Sequence, residues 1–205
     1  MIVIVDCGIG NVGSVMNMFH RIGVPAAVSG DPIVVGEAEK LVLPGVGAFD
    51  HGMTRLRRSG LIPTLQRRVL HEATPILGIC LGLQLFTRGS EEGVEQGLGW
   101  LPGRTVRFRF GDAQHGSLKV PHMGWNTVKV ARPGVWPSLL GEPRFYFVHS
   151  YHIECEDEGD VLATATYGYE FAVAARRRNV MGVQFHPEKS HRYGMAVLRD
   201  FAAGA

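Results

Sequence analysis

Hydrophobic and polar positions alternate along this chain with two periods. Short apolar runs rich in β-branched residues and bounded by turn formers come first, and Ile2–Val5, Ala26–Ser29, Lys40–Leu43 and Pro75–Ile79 each read as a strand. Between them, apolar residues recur at helical spacing over Asn11–Arg21 and over Gly52–Glu72, the latter with breaks at Gly60 and Pro63. Strand, helix, strand in that order predicts a parallel sheet. After Gly99 the strands come closer together: Thr105–Phe110, Thr127–Val130, Arg144–Val148, Val161–Tyr167, Phe171–Arg176 and Val180–Phe185. That half is expected to be antiparallel or mixed. Ser190–Ala203 closes the chain as a helix, with Ser190 as its cap. No repeat, low-complexity run or linker interrupts the pattern, so one domain over residues 1–205 is expected.

Composition narrows the function classes. Hydrophobic residues make up 45% and charged ones 20% of 205 residues, which suits a single globular core. A net charge of +2, from 21 basic and 19 acidic residues spread along the chain, gives no electrostatic footprint for nucleic acid or an anionic membrane. The one dense basic run, Arg176-Arg177-Arg178 beside Asn179, lies between two apolar runs and reads as a solvated hairpin turn. Cys7, Cys80 and Cys155 are scattered and odd in number, against a disulfide framework or a zinc ribbon and in favour of a reducing compartment. No run approaches the roughly 20 apolar residues of a membrane span, and the first residues make no signal sequence. A cytoplasmic location is expected. His149-x-x-His152 lacks partners at ligand spacing, so no metal site is expected.

Three motifs carry candidate chemistry. Gly8-Ile9-Gly10-Asn11-Val12-Gly13 follows an apolar strand and precedes a helix, with Asp31 18 residues beyond, and so imitates a dinucleotide-binding fingerprint. A lone G-x-G-x-x-G also serves close helix packing, and that reading is preferred. In Ile76-Leu77-Gly78-Ile79-Cys80-Leu81-Gly82 a strand runs into G-x-C-x-G and a following helix, the nucleophile-elbow pattern with Cys in place of Ser. The flanking glycines let strand and helix pack around a sharp turn, the helix start favours a thiolate, and the Leu81 amide is an oxyanion donor. A buried structural cysteine is the alternative for Cys80 taken alone. In Phe185-His186-Pro187-Glu188 a strand ends with an imidazole and a carboxylate two positions apart, which share a side on an extended chain. Glu188 then orients His186 as a base for the thiol; a surface ion pair is the alternative. In Pro44-Gly45-Val46-Gly47 glycines flank one residue, so an NH of Val46 or Gly47 can complete a two-donor oxyanion hole.

Pro44-Gly45-Val46-Gly47, Gly78-Ile79-Cys80-Leu81-Gly82-Leu83-Gln84 and His186-Pro187-Glu188, in that order across the whole chain, resemble the triad-type, class I glutamine amidotransferases. The resemblance implies an α/β, flavodoxin-like three-layer sandwich, its central sheet mostly parallel with a smaller antiparallel or mixed sheet beside it. It implies glutamine hydrolysis through a thioester on Cys80, with no cofactor. It also places Gln84 and Glu92 at the substrate's amino-acid end and Ser150 and Tyr151 on a strand lining the same pocket. Within the family, the segments from Asp6 to Asn11, from Pro121 to Asn126, from Phe147 to Tyr151 and from Gln184 to Ser190 are most similar to the glutaminase subunits of imidazole glycerol phosphate synthases. That similarity implies a heterodimer with a (β/α)8-barrel cyclase subunit, contacted through Asn11, His122, Trp125 and Lys189. Alternatives are a glutaminase of another synthase, such as anthranilate or aminodeoxychorismate synthase, another thiol hydrolase, and a noncatalytic binding subunit of the same fold. Leu83, where the first of these usually has His, argues against that branch.

Overall fold

The structure is a computed structural model that describes residues 1–111, 118–132 and 134–204. Its spine is five parallel strands in the order β2 (Ala26–Ser29), β1 (Ile2–Val5), β3 (Lys40–Gly45), β4 (Ile76–Cys80) and β12 (Val180–Val183). The sheet then continues antiparallel through β11 (Tyr169–Arg177), β10 (Val161–Tyr167) and β7 (Lys129–Val130), while β9 (Tyr151–Cys155) pairs with both β11 and β5 (Gly103–Arg107). A separate two-stranded antiparallel sheet joins β6 (His122–Thr127) to β8 (Arg144–His149). Most of the expected antiparallel half is therefore hydrogen-bonded into the main sheet, and the separate sheet is only a hairpin-like pair.

Alternation along the central strands builds a core on each face, because successive side chains point to opposite sides. Ile2 and Ile4 join one apolar cluster with Met18 and Phe19 of α1 (Val12–Arg21) and Leu198 and Phe201 of α6 (His191–Ala203). Val3 and Val5 join the other, with Phe49, Met53 and Leu56 of α3 (Phe49–Arg58), Leu65 of α4 (Ile62–Gln66) and the short helix α5 (Leu81–Leu85). Burial of both faces explains why these strands are nearly uninterrupted apolar runs.

Two local expectations, at Pro63 and Ser190, are corrected, and one short helix is added. Pro63 does not break a helix; it lies in the first turn of α4, where its missing NH costs nothing. Asp31 caps a five-residue helix, α2 (Pro32–Gly36), its Oδ1 accepting from Ile33 N at 2.8 Å. Ser190 precedes α6 without capping it: its Oγ donates to His186 O at 2.6 Å and accepts from Tyr146 N at 3.0 Å. The basic run forms the expected β11–β12 turn, with Arg178 at φ 55° and Arg177 paired to Asp160 at 3.1 Å. Among the described residues no helix is long and apolar enough to cross a membrane.

Candidate active site

Parallel strands end together, and the loops beyond their carboxyl ends make a crevice. Register aligns Gly45 with Cys80 and Ile79 with Val183, so the turn after β3, the end of β4 and the segment after β12 meet at one edge. Close packing there demands glycine. A Cβ on Gly78 would stand 2.6 Å from Leu83 N, and one on Gly82 would overlap the Leu43 carbonyl oxygen. Cys80 takes the resulting turn at φ 53° and ψ −109°, a conformation costly for a side-chain-bearing residue and held only because the strand and helix on either side are fixed. Its helix, α5, has five residues, all buried.

Cys80 opens into a cavity of about 330 Å³ that is also lined by Val46, Gly47, Leu81, Gln84, Glu92, His149, Ser150, Tyr151 and His186. The residues singled out in sequence for catalysis, oxyanion binding and substrate binding thus gather around one space, with Glu188 just behind. A wider recess of about 550 Å³, near Thr127, Trp136 and Pro143, holds none of them.

His186 is 1% exposed, and its Nδ1 lies 2.7 Å from Glu188 Oε1. The two residues meet across a 3₁₀ turn, Pro187–Lys189, rather than side by side on an extended strand as expected. Because the carboxylate only accepts, Nδ1 carries the proton in that bond. Nε2 has no nitrogen or oxygen partner and is left to Cys80. Burial works against a charged ring, yet hydrogen bonding and charge from Cys80 and from Glu188 outweigh it and lift the His186 pKa to about 10. The ring is therefore stabilised as an imidazolium, the form that pairs with a thiolate.

The remaining groups differ in how ready they stand. Leu81 begins α5, so its amide has no carbonyl partner within the helix. The expected Val46 donor is corrected: its NH is spent on Ile9 O at 2.6 Å, outside the cavity. Gly47, at φ 98°, occupies backbone space open to glycine. Glu92 Oε2 accepts from Phe49 N at 2.8 Å, tying the carboxylate to the start of α3. Gln84 Nε2 donates to Tyr151 O at 3.2 Å and to Gln184 Oε1 at 3.0 Å. Gln184 and His149 received no role from the sequence. The available signals were that Gln184 opens the Gln184–Ser190 segment that carries the resemblance and lies two positions before His186, directly after β12.

Of the expected partner contacts, three are at the surface. Asn11 is exposed and caps α1 by accepting from Ser14 N at 3.1 Å. Trp125 is 41% exposed and stacks on the His191 ring at 5.5 Å. Lys189 Nζ lies 5.5 Å over the Tyr146 ring. His122 is corrected: alternation along β6 turns Met123 and Trp125 outward and His122 inward, where it is 4% exposed and bonded to His149 at 2.9 Å. In the glycine-rich first turn, a Cβ on Gly10 would stand 2.5 Å from Pro44 O, and Asp31 caps α2, so Gly10 and Asp31 of the fingerprint-like pattern have packing and capping roles.

Comparison with known proteins places this geometry. The chain is 48% identical over 98% of both chains to the imidazole glycerol phosphate synthase subunit HisH 2 of Methanococcus maripaludis. It is 47% identical to the HisH subunit of Bdellovibrio bacteriovorus, over 98% of this chain and 99% of that one, and 50% identical to that of Syntrophotalea carbinolica, over 98% of both. Among solved structures, a glutamine amidotransferase superposes with a TM-score of 0.76 at 20% identity, covering 100% of this chain and 99% of that one, a likeness of fold. The family model described as "Glutamine amidotransferase class-I" matches residues 3–205, and this chain belongs to that family.

Proposed function

We propose that this chain is the glutaminase subunit of an imidazole glycerol phosphate synthase, acting in histidine biosynthesis. The observation that carries the reading is the Cys80–His186–Glu188 arrangement facing one cavity with Gln84 and Glu92, in a chain nearly half identical over its full length to subunits of that name. In this reading the thiol proton already rests on His186, and the Cys80 thiolate sulfur attacks the side-chain carboxamide carbon of L-glutamine. The tetrahedral intermediate collapses as His186 protonates the leaving nitrogen, ammonia departs, and a glutamyl thioester remains. Water, deprotonated by His186, then attacks the thioester. The C–S bond breaks with its electron pair on sulfur, and glutamate is released. Gln84, Glu92, Ser150 and Tyr151 hold the amino-acid end of the substrate.

The ammonia passes to a cyclase subunit with a (β/α)8 barrel, bound in a heterodimer through the face bearing Asn11, Trp125 and Lys189. That subunit uses it to make imidazole glycerol phosphate and an aminoimidazole carboxamide ribotide in the cytoplasm. Leu81 NH supplies one oxyanion donor. The second requires the peptide beside Val46 to turn away from Ile9 O, a rotation that the glycines on either side permit. Losing one such donor typically costs about 3 kcal/mol of barrier, so hydrolysis is expected to be slow in the isolated chain and fast with the liganded partner. The test is ammonia release from glutamine, with and without purified cyclase subunit, by the natural chain and by Cys80→Ala. Stimulation by the partner and no activity in Cys80→Ala are expected; equal turnover with and without the partner removes the coupling, and activity in Cys80→Ala removes the nucleophile.

A further inference from the structure

Gln184 follows β12 directly and is fully buried, yet it packs against the nucleophile. Its Nε2 lies 3.5 Å from Cys80 Sγ, and its Oε1 lies 3.0 Å from Gln84 Nε2. Which end of each amide faces which neighbour follows from donor and acceptor chemistry. Tyr151 O can only accept, so the Gln84 atom 3.2 Å from it is the nitrogen. That nitrogen also reaches Gln184, which must therefore present its oxygen and leave its own nitrogen to the sulfur. A flipped Gln184 would set two nitrogen donors against each other and an oxygen against a negatively charged sulfur.

The acceptor at the head of this chain is itself fixed. Tyr151 O also lies 2.7 Å from His149 Nδ1, which must donate to it. Burial drives both His149 and His122 far below the ordinary imidazole range, to about 3 and about 4, so both rings are neutral. A neutral His149 donating through Nδ1 accepts at Nε2, and His122 Nδ1 donates there at 2.9 Å. His122 Nε2 in turn accepts from Asn126 Nδ2 at 3.2 Å. From Asn126 to Cys80 every polar atom has one self-consistent role, which is what pre-organises a donor in a buried site.

We infer that Gln184 is a further catalytic residue: its side-chain N–H donates to the Cys80 sulfur and stabilises the thiolate, while Gln84 and the anchored Tyr151 carbonyl hold that N–H in place. A donor to sulfur is worth most when the sulfur is charged, before attack on the carboxamide and again as the thioester C–S bond breaks. The inference rests on the reading of Cys80 as the nucleophile, but its test needs neither glutamine nor a partner.

The test is the pH profile of Cys80 alkylation by iodoacetamide, followed on the Cys80 peptide by mass spectrometry. Cys7 and Cys155, pushed up by burial to about 11 and about 12, stay silent over the range. Gln184→Met fills similar space without a donor. It is expected to move the profile up by about one pH unit, hence to slow alkylation about tenfold on its acid side, and to leave the high-pH plateau unchanged. Gln84→Met, which frees Gln184 from its anchor, is expected to shift the profile in the same direction by less. A Gln184→Met profile that superimposes on the natural one overturns the inference; should that variant fail to fold, a Gln84→Met profile superimposing on the natural one does the same. If Gln184→Met alkylates normally while the natural protein hydrolyses glutamine, only the role of Gln184 falls. If the shift is found but no glutamine is hydrolysed, the proposed function falls instead.

Discussion

Lowering the pH from 7 to 5 is expected to destabilise this protein through His122 and His149. The two rings are 4% and 6% exposed and bonded to each other at 2.9 Å, and burial depresses their folded pKa values to about 4 and about 3. In the unfolded chain each titrates near 6.5. Because the folded values lie below the unfolded one, the stabilisation is whole above pH 6.5 and is lost as pH falls, the unfolded chain binding the extra protons. Between pH 6.5 and 5 each ring forfeits about 2 kcal/mol, at about 1.4 kcal/mol per pH unit, and the pair about 4. That is a large share of the roughly 5–15 kcal/mol typical of a domain. His152, also depressed by burial, adds in the same direction. The measurement is urea unfolding at both pH values for the natural protein and for His122→Gln/His149→Gln, with the stability difference between pH values compared. The natural protein is expected to lose about 4 kcal/mol more than the double variant. Losses that run in parallel would show that neither ring is held neutral by its surroundings.

Other outcomes follow from single contacts. Gly82→Ala would drive a methyl group into the Leu43 carbonyl and force α5 away from β3, so a loss of about 3 kcal/mol or more, read as a lower thermal midpoint, is expected; an unchanged midpoint would show that the elbow has slack. Glu188→Gln keeps the size of the side chain but removes its charge, so the His186 pKa falls from about 10 and glutamine turnover drops by about 10²–10⁴-fold, with KM little changed. Normal turnover in that variant would leave the carboxylate without a part in the reaction. Trp125→Ala removes an exposed ring from the outer face of β6. It is expected to weaken binding of the cyclase subunit at least tenfold by titration without lowering the thermal midpoint; undiminished affinity would move the interface elsewhere.

How legible the molecule was in its sequence depended on range. Four-residue apolar runs such as Ile2–Val5 declared central strands because both of their faces are buried, and the G-x-C-x-G run declared its own turn because only glycine fits there. Helix α2 was missed because five residues are too few to show a helical period, and β9 because Tyr151-His152-Ile153-Glu154-Cys155 alternates irregularly after a bend at Ser150. The proposed triad could be named from residue types, but its assembly depends on the parallel register of β4 with β12, which no local pattern encodes. Partner choice among polar groups was least legible. The Val46 NH turned to Ile9, Ser190 turned to His186 rather than to its helix, and His122 turned inward, each set by a neighbour distant in sequence or by which face of a strand the fold buries.

The chemistry assigned to Cys80 is tested most directly by acid-quenching the protein within its first turnovers on L-glutamine, in the presence of the cyclase subunit, and weighing the peptide that carries Cys80. A gain equal to glutamine less ammonia, absent with Cys80→Ala and removed by hydroxylamine, is the expected result. Steady ammonia release with that peptide never modified, or with the added mass on another residue, would contradict a thioester on Cys80.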